Sequence, residues 1–399
     1  MKKIALIGNM NNNFFSMMRY FRDAGFNADL FMFKDESEHF LPENDSWEIE
    51  KWKPYIYQLE VNNNERALFG SGLKYFLNQI KNYDYYIGCG ITPAIFRKIG
   101  MKLDMFIPYA YGIEFFGCHK FSVLHPFDEI IFQIAKHYQK RGIKDCGFSV
   151  TPDYNWKNRN VFDKLRVNPL KISIPMLYTK KETLVAIPIN IQEYINILTK
   201  SDLRVFSHVS HKWKRIPKDW VLDFKRNQVL IKGFAKYIND IDRSATNPLL
   251  ILIEYGYDVP ESKKLIDELG IKNYVLWLPI LSRKEIMILL GYIDLGGGEF
   301  GGALWGGTGW EFISKGVPFF QYVKMTKEEY LNSTGDPMPE FINVDSPEKI
   351  KGHLLSFEKS PGIYKVIGKE LSGWFEQHNG KNLAAKYLEI IEKNRKFLQ

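Results

Sequence analysis

Short apolar runs alternate with longer amphipathic stretches along almost the whole chain, a pattern that few folds accept. Buried strands joined by covering helices satisfy it, and they make parallel sheets. The expected fold class is therefore α/β, with doubly wound sheets. In the first half the pattern predicts strands over 4–8, 28–33, 85–88, 105–109 and 147–151. Helices are expected over 15–24, closed by Gly25, around Tyr75 and over 128–141. The second half repeats the alternation. Strands over 204–207, 249–254, 274–278, 293–295 and 317–321 are separated by helices over 229–239, 261–269, 283–290 and 310–315. The junction between the halves is expected within 171–200, which contains Pro175, Pro188 and a short helical stretch. The last residues read as helical with a break at Asn379-Gly380, after which Leu383, Tyr387, Leu388 and Ile391 line one face that must dock on something.

Length and composition agree with two such units. A chain of 399 residues is two or three domains at about 150 residues each. Apolar residues at 45% and charged residues at 25% exclude a disordered or collagenous protein. The net charge of +8 favours anionic partners: nucleotide phosphates, nucleic acid or an anionic membrane face. Cys89, Cys118 and Cys146 lack the spacing of a zinc site and cannot all pair, which argues for a reducing compartment. The apolar run at 4–7 is too short for a secretory signal, and no run approaches the roughly 18 residues of a membrane span.

The segment 294–318, DLGGGEFGGALWGGTGWEFISKGVP, is the sharpest local feature. Its glycines follow a short strand and run into a helix expected to begin near Gly309. Backbone that approaches a ligand closely, with free amides at a helix start, suits a phosphate. Glu311 in the first turn either serves the helix dipole or accepts bonds from two neighbouring hydroxyls, as on a ribose. A second cluster follows the strand at 204–207, with Ser207, His208, Ser210 and His211, and Lys232-Gly233 expected to open a helix. Together they make a cationic pocket for a diphosphate leaving group. Around it Lys212, Lys214, Arg215, Lys218, Lys225 and Arg226 interleave with Trp213 and Trp220, diluted by Asp219 and Asp223; a solvated surface is the commoner fate of such a patch.

These residues resemble the GT-B glycosyltransferases, in particular the large retaining group called family 4. The matching strings are LIKGFAKYI, LLILIEYGYDVPESKKLIDELGIKNYVLWLP and EFISKGVPFF, over roughly 203–321. The resemblance implies two Rossmann-like domains facing an interdomain cleft: an acceptor domain over 1–180, a linker over 181–202, a donor domain over 203–365 and a C-terminal helical segment over 366–399 that docks back. It further implies that Glu311 holds the donor ribose, that Lys232 contacts the diphosphate, and that His211 stands near the place of an arginine with the same task. The first Glu of the family's E-x7-E motif falls at Ala303, with Glu299 close by to substitute. The W-G-G-T-G run at 305–309 is similar to an H-G-G-x-G loop, bringing Trp305, Gly307, Thr308 and Gly309 to the donor, with Ser210 beside them. In the first half, Asn9, Asn11 and Asn12 end a strand where the family binds its acceptor. Glu114 lies in the Tyr111-Gly112-Ile113-Glu114 stretch on the same cleft, with His119 or His125 near the place of a family histidine.

The expected activity is transfer of a hexose from a nucleotide sugar to a glycan or lipid-linked acceptor. The resemblance adds retention, bacterial surface-polysaccharide synthesis such as lipopolysaccharide or capsule, and a cytoplasmic location with peripheral contact to the anionic inner membrane face. No cofactor, metal or nucleic acid is expected, and Asp240-Ile241-Asp242, the only D-x-D, reads as a helix end. Two other classes fit the same residues. A GT-B-shaped sugar-nucleotide epimerase would use Glu114 and Glu299 as acid and base, and a non-catalytic nucleotide or nucleic-acid binder would bind without turnover, weakening steeply with salt.

Overall fold

The computed structural model describes residues 2–108, 112–113, 126–151, 156–184, 186–215, 224–242 and 246–395. The chain divides into two compact units. The first comprises Met1–Thr183, Glu328–Pro337 and Asn379–Gln399; the second comprises Leu184–Lys327 and Met338–His378.

The first unit is built on six parallel strands: β1 (Lys3–Ile7), β2 (Asn27–Met32), β3 (Ile56–Gln58), β4 (Tyr85–Gly88), β5 (Met105–Phe106) and β6 (Phe148–Ser149). Their order is β3-β2-β1-β4-β5-β6. The unbroken run IALI of β1 follows from burial on both faces. Ile4 and Leu6 point into one core with Leu30 and Ile87, while Ala5 and Ile7 point into the other with Phe31 and Tyr86. The Gly380–Arg395 helix closes the first core, burying Leu383, Tyr387, Leu388 and Ile391. Tyr387 donates its hydroxyl hydrogen to the Ser173 carbonyl at 2.9 Å, which fixes the helix along the chain.

The second unit repeats the plan with β7 (Leu203–Ser207), β8 (Pro248–Ile253), β9 (Val275–Leu278), β10 (Leu295–Gly297), β11 (Phe319–Gln321) and β12 (Ile342–Asn343), in the order β12-β11-β10-β7-β8-β9. In both units the strand order reverses beside the first strand, which makes the β7/β10 edge a topological switch point. Two departures from expectation have a physical cause. β10 lies over 295–297 rather than 293–295, because a side chain at Gly296 would sit 2.7 Å from both Phe312 and Phe319. Glycine selected for close packing carries no strand propensity to read. The edge strands β3 and β12, three and two residues long, are too short to show an alternation. Among the described residues no helix is long and apolar enough to cross a membrane.

Candidate functional site

Because β7 and β10 are hydrogen-bonded neighbours, the loops leaving their C-terminal ends share one stretch of the second sheet's edge. The β7 loop supplies His208, Ser210 and His211. The β10 segment supplies Glu299 and then the Gly307–Lys315 helix, which begins two residues before the expected Gly309 and carries Thr308 and Glu311.

Glu311 is buried, and both of its oxygens are engaged. His208 Nε2 lies 2.6 Å from Oε2, and Arg283 Nε donates to Oε1 at 2.7 Å. Burial alone would raise this carboxyl, but the hydrogen bond and charge of His208 and the Arg283 guanidinium outweigh it and hold the group below the usual carboxylate range. His208 is fixed between Phe206, stacked at 5.1 Å, and the edge of Phe312 at 5.0 Å. Its Nδ1 is buried without a partner.

His211 is held by its backbone, donating to the Tyr255 carbonyl at 2.7 Å and accepting from the Asp258 amide at 3.0 Å. Its Nδ1 is 2.8 Å from Ser262 Oγ. Burial lowers the ring's pKa to about 4 against a smaller upward pull from Asp258. His211 Nε2, Ser210 Oγ and Thr308 Oγ1 are all buried with no partner in the protein.

The glycines of the segment serve two different ends. Gly309 makes room for protein: a Cβ there would lie 2.2 Å from the Cβ of Trp305. Trp305 is itself buried against Trp310 and Phe341 at ring distances of 5.7 and 5.4 Å. Gly307, at the first position of the helix, has no heavy atom within 4 Å of where its Cβ would stand. Gly306 before it supplies no side-chain cap, so the helix start is open to an acceptor.

Besides Arg283, Lys225 and Arg226 bring cationic side chains to this segment. Lys225 Nζ pairs with Glu299 Oε2 at 2.8 Å, and Arg226 donates to the Phe300 carbonyl at 3.3 Å. Glu299 is nine-tenths buried, and its amide donates to Gln321 Oε1 at 2.7 Å. Lys232 is exposed in the second turn of the Gln228–Asp240 helix. In the sequence Lys225 and Arg226 belong to the diffuse basic stretch that begins at Lys212. No local pattern marks Arg283, whose partner Glu311 is 28 residues away. Asp240 of the D-x-D ends its helix and bonds Lys351 at 2.7 Å. Among the described residues no group of three or more His, Cys, Asp or Glu is placed to hold a metal.

In the first unit, Asn9 is fully buried and its side chain is committed to the loop. It donates to Asn12 Oδ1 at 2.8 Å and to the Phe40 carbonyl at 2.7 Å, and accepts from the Phe15 amide at 2.9 Å. Asn12 is buried as well, donating to the Leu41 carbonyl at 3.4 Å, while Asn11 is half-buried in the left-handed region at φ 54°. Glu36, unmarked in the sequence, accepts the Asn9 amide at 2.9 Å; burial raises its carboxyl against that bond. Glu114, His119 and His125 lie outside the described residues.

No protein-family model matches the sequence, and no curated protein matches it. Solved structures do. HepE of Anabaena in complex with UDP-glucose superimposes with a TM-score of 0.61 at 13% identity, covering 98% of this chain and 100% of that one. A glycosyltransferase of Rickettsia africae gives 0.60 at 12% identity, with 98% of each chain covered. TarM of S. aureus, in a complex that includes UDP, gives 0.56 at 11% identity, over 98% and 99%. At these identities the likeness shows the fold: a two-unit α/β architecture of the GT-B type along the full length of the chain.

Proposed function

We propose that this chain is a glycosyltransferase that takes a hexose from a nucleotide-sugar donor bound at the β7/β10 edge of the second unit. One observation carries the reading. His208 Nδ1, Ser210 Oγ and His211 Nε2 on the β7 loop, and Thr308 Oγ1 in the first turn of the Gly307–Lys315 helix with its uncapped start, are buried without partners. Buried polar groups are almost always satisfied, so a cluster of orphans at a switch point asks for a polar ligand. HepE of Anabaena was solved with UDP and with UDP-glucose, which makes a UDP-hexose the first donor to try.

In this reading the amides of Gly307 and Thr308 and the Thr308 hydroxyl receive the diphosphate. Lys225 and Arg226 supply positive charge, and the ionised Glu311 accepts from the ribose hydroxyls. Catalysis is then stabilisation of the departing diphosphate together with orientation of the sugar. Asn11 and Glu114 are proposed to meet the acceptor, with Asn9 and Asn12 shaping the loop that presents it. We further propose a retaining, metal-independent reaction on a glycan or lipid-linked acceptor in bacterial surface-polysaccharide synthesis, at the inner face of the cytoplasmic membrane. Anionic lipid is the proposed contact for the outer face of the Pro126–Asp145 helix. Its first half exposes Phe127 (81%) and Ile130 (57%), and its second half exposes Lys140, Arg141 and Lys144.

The test is turnover. Purified protein is incubated with UDP-glucose, UDP-galactose and other sugar nucleotides, and release of the nucleoside diphosphate is followed with and without candidate acceptors. Acceptor-stimulated release from one donor supports the reading; binding without release, or conversion of one sugar nucleotide into another, contradicts it.

A further inference from the structure

Trp213 and Ser262 have no part in the reading above, yet both bear on His211. The Trp213 indole can only donate, and its Nε1–H goes to Ser262 Oγ at 2.8 Å. Ser262 is fully buried, and the acceptor within reach of its own O–H is His211 Nδ1, also at 2.8 Å. The chain of donors therefore runs Trp213 to Ser262 to His211, and it ends on an imidazole nitrogen that must be bare. A neutral ring with a bare Nδ1 carries its hydrogen on Nε2. That nitrogen is the buried orphan at the β7 edge.

The same contacts resist protonation of the ring. A hydrogen added to Nδ1 would turn the Ser262 hydroxyl away from its acceptor and strand it in a buried space. Burial acts in the same direction. Asp258, the carboxylate that pulls the other way, has its Oδ2 taken by the backbone amides of Trp213 and Lys214 at 2.7 and 2.8 Å, and its Oδ1 is buried without a hydrogen-bond partner, His211 included.

We propose that Trp213 and Ser262 are positioning residues that set His211 as a neutral Nε2–H donor, and that this donor takes an acceptor oxygen on the phosphates of the bound nucleotide. The inference rests on the donor-site reading and adds that His211 contributes direction and not charge. The phosphates are assigned as the acceptor because the β7 loop that carries His211 also carries His208, which bonds Glu311 of the helix whose uncapped start favours an anion. Charge compensation then falls to Lys225, Arg226 and the helix itself.

The experiment uses the full chain labelled with nitrogen-15 histidine. Long-range proton–nitrogen NMR reads the tautomer of each ring, and the spectrum of His211→Gln identifies the His211 signals. The expected result is the Nε2–H form in the wild type, a mixture in Ser262→Ala and recovery in Ser262→Thr. Calorimetry with UDP supplies the second readout. His211→Ala loses roughly tenfold or more in affinity, the worth of a hydrogen bond to a charged group, while His211→Gln, which keeps an uncharged N–H, retains most of it. An Nδ1–H tautomer in a wild type that binds UDP overturns the inference alone, as does a Gln variant as weak as the Ala variant. The Nε2–H tautomer in a protein that binds no nucleoside diphosphate overturns the ligand assignment by way of the donor-site reading.

Discussion

Glu311 and His211 are both held away from their ordinary titration, and the two shifts push acid stability in the same direction. For Glu311 the folded carboxyl stays ionised below its ordinary value of 4.5, so on acidification the unfolded chain takes up the proton first. Its contribution is present above about pH 4.5 and is lost as the pH falls through the lower, folded value. For His211 the folded ring protonates at about 4 and the free ring at 6.5. The unfolded chain therefore binds a proton that the fold refuses, and stability declines as the pH drops from 6.5 to 4. We predict that His211→Gln flattens the fall in melting temperature across that window; an unchanged slope would contradict the burial argument. Arg283→Ala leaves a buried carboxylate with one of its two partners and is expected to cost about 3 kcal/mol in urea unfolding. A loss under about 1 kcal/mol would mean that the pair behaves as an exposed one.

At the scale of the element, the Gly307–Lys315 helix separates packing from binding within three residues. Gly309→Ala forces a methyl against Trp305 and should lower stability by about 1–3 kcal/mol. Gly307→Ala meets open space and should leave the melting temperature unchanged or slightly raised, since alanine favours a helix. Its methyl would stand where the proposed phosphate approaches, so nucleotide affinity should fall while the fold does not. The sequence showed a dense glycine segment ending in a helix, but nothing in its spacing separates a glycine pressed by Trp305 from one facing solvent. The same limit applies elsewhere. β1, β4 and β8 were legible because their strings are almost continuously apolar and buried, whereas Lys225, in the loop before the Gln228–Asp240 helix, is paired with Glu299 far along the chain and Lys232 lies exposed within that helix, a difference no local pattern shows. Asn9, expected at the acceptor site, has its side chain occupied by loop contacts that arrive from residues 12, 15 and 40, and a residue's partners cannot be read from its own neighbours in sequence.

For the whole molecule, the +8 charge and the split outer face of the Pro126–Asp145 helix predict cosedimentation with vesicles rich in anionic lipid. Phe127→Ser with Ile130→Ser should weaken it at all salt concentrations, and raised salt should weaken the wild type through its basic residues. Equal binding to neutral vesicles would remove the electrostatic half of that proposal. The doubly wound pair of units was legible from alternation alone, and the full-length likeness to GT-B structures agrees with it. The proposed chemistry rests on the second unit's sheet edge, and calorimetric titration of UDP into the wild type and Gly307→Ala, with both melting curves recorded, tests it most directly. Saturable binding to the wild type, at least tenfold weaker binding to the variant and matching melting temperatures are the expected result. Equal affinity in the two proteins, or no binding to the wild type by UDP or any other nucleoside diphosphate, would contradict it.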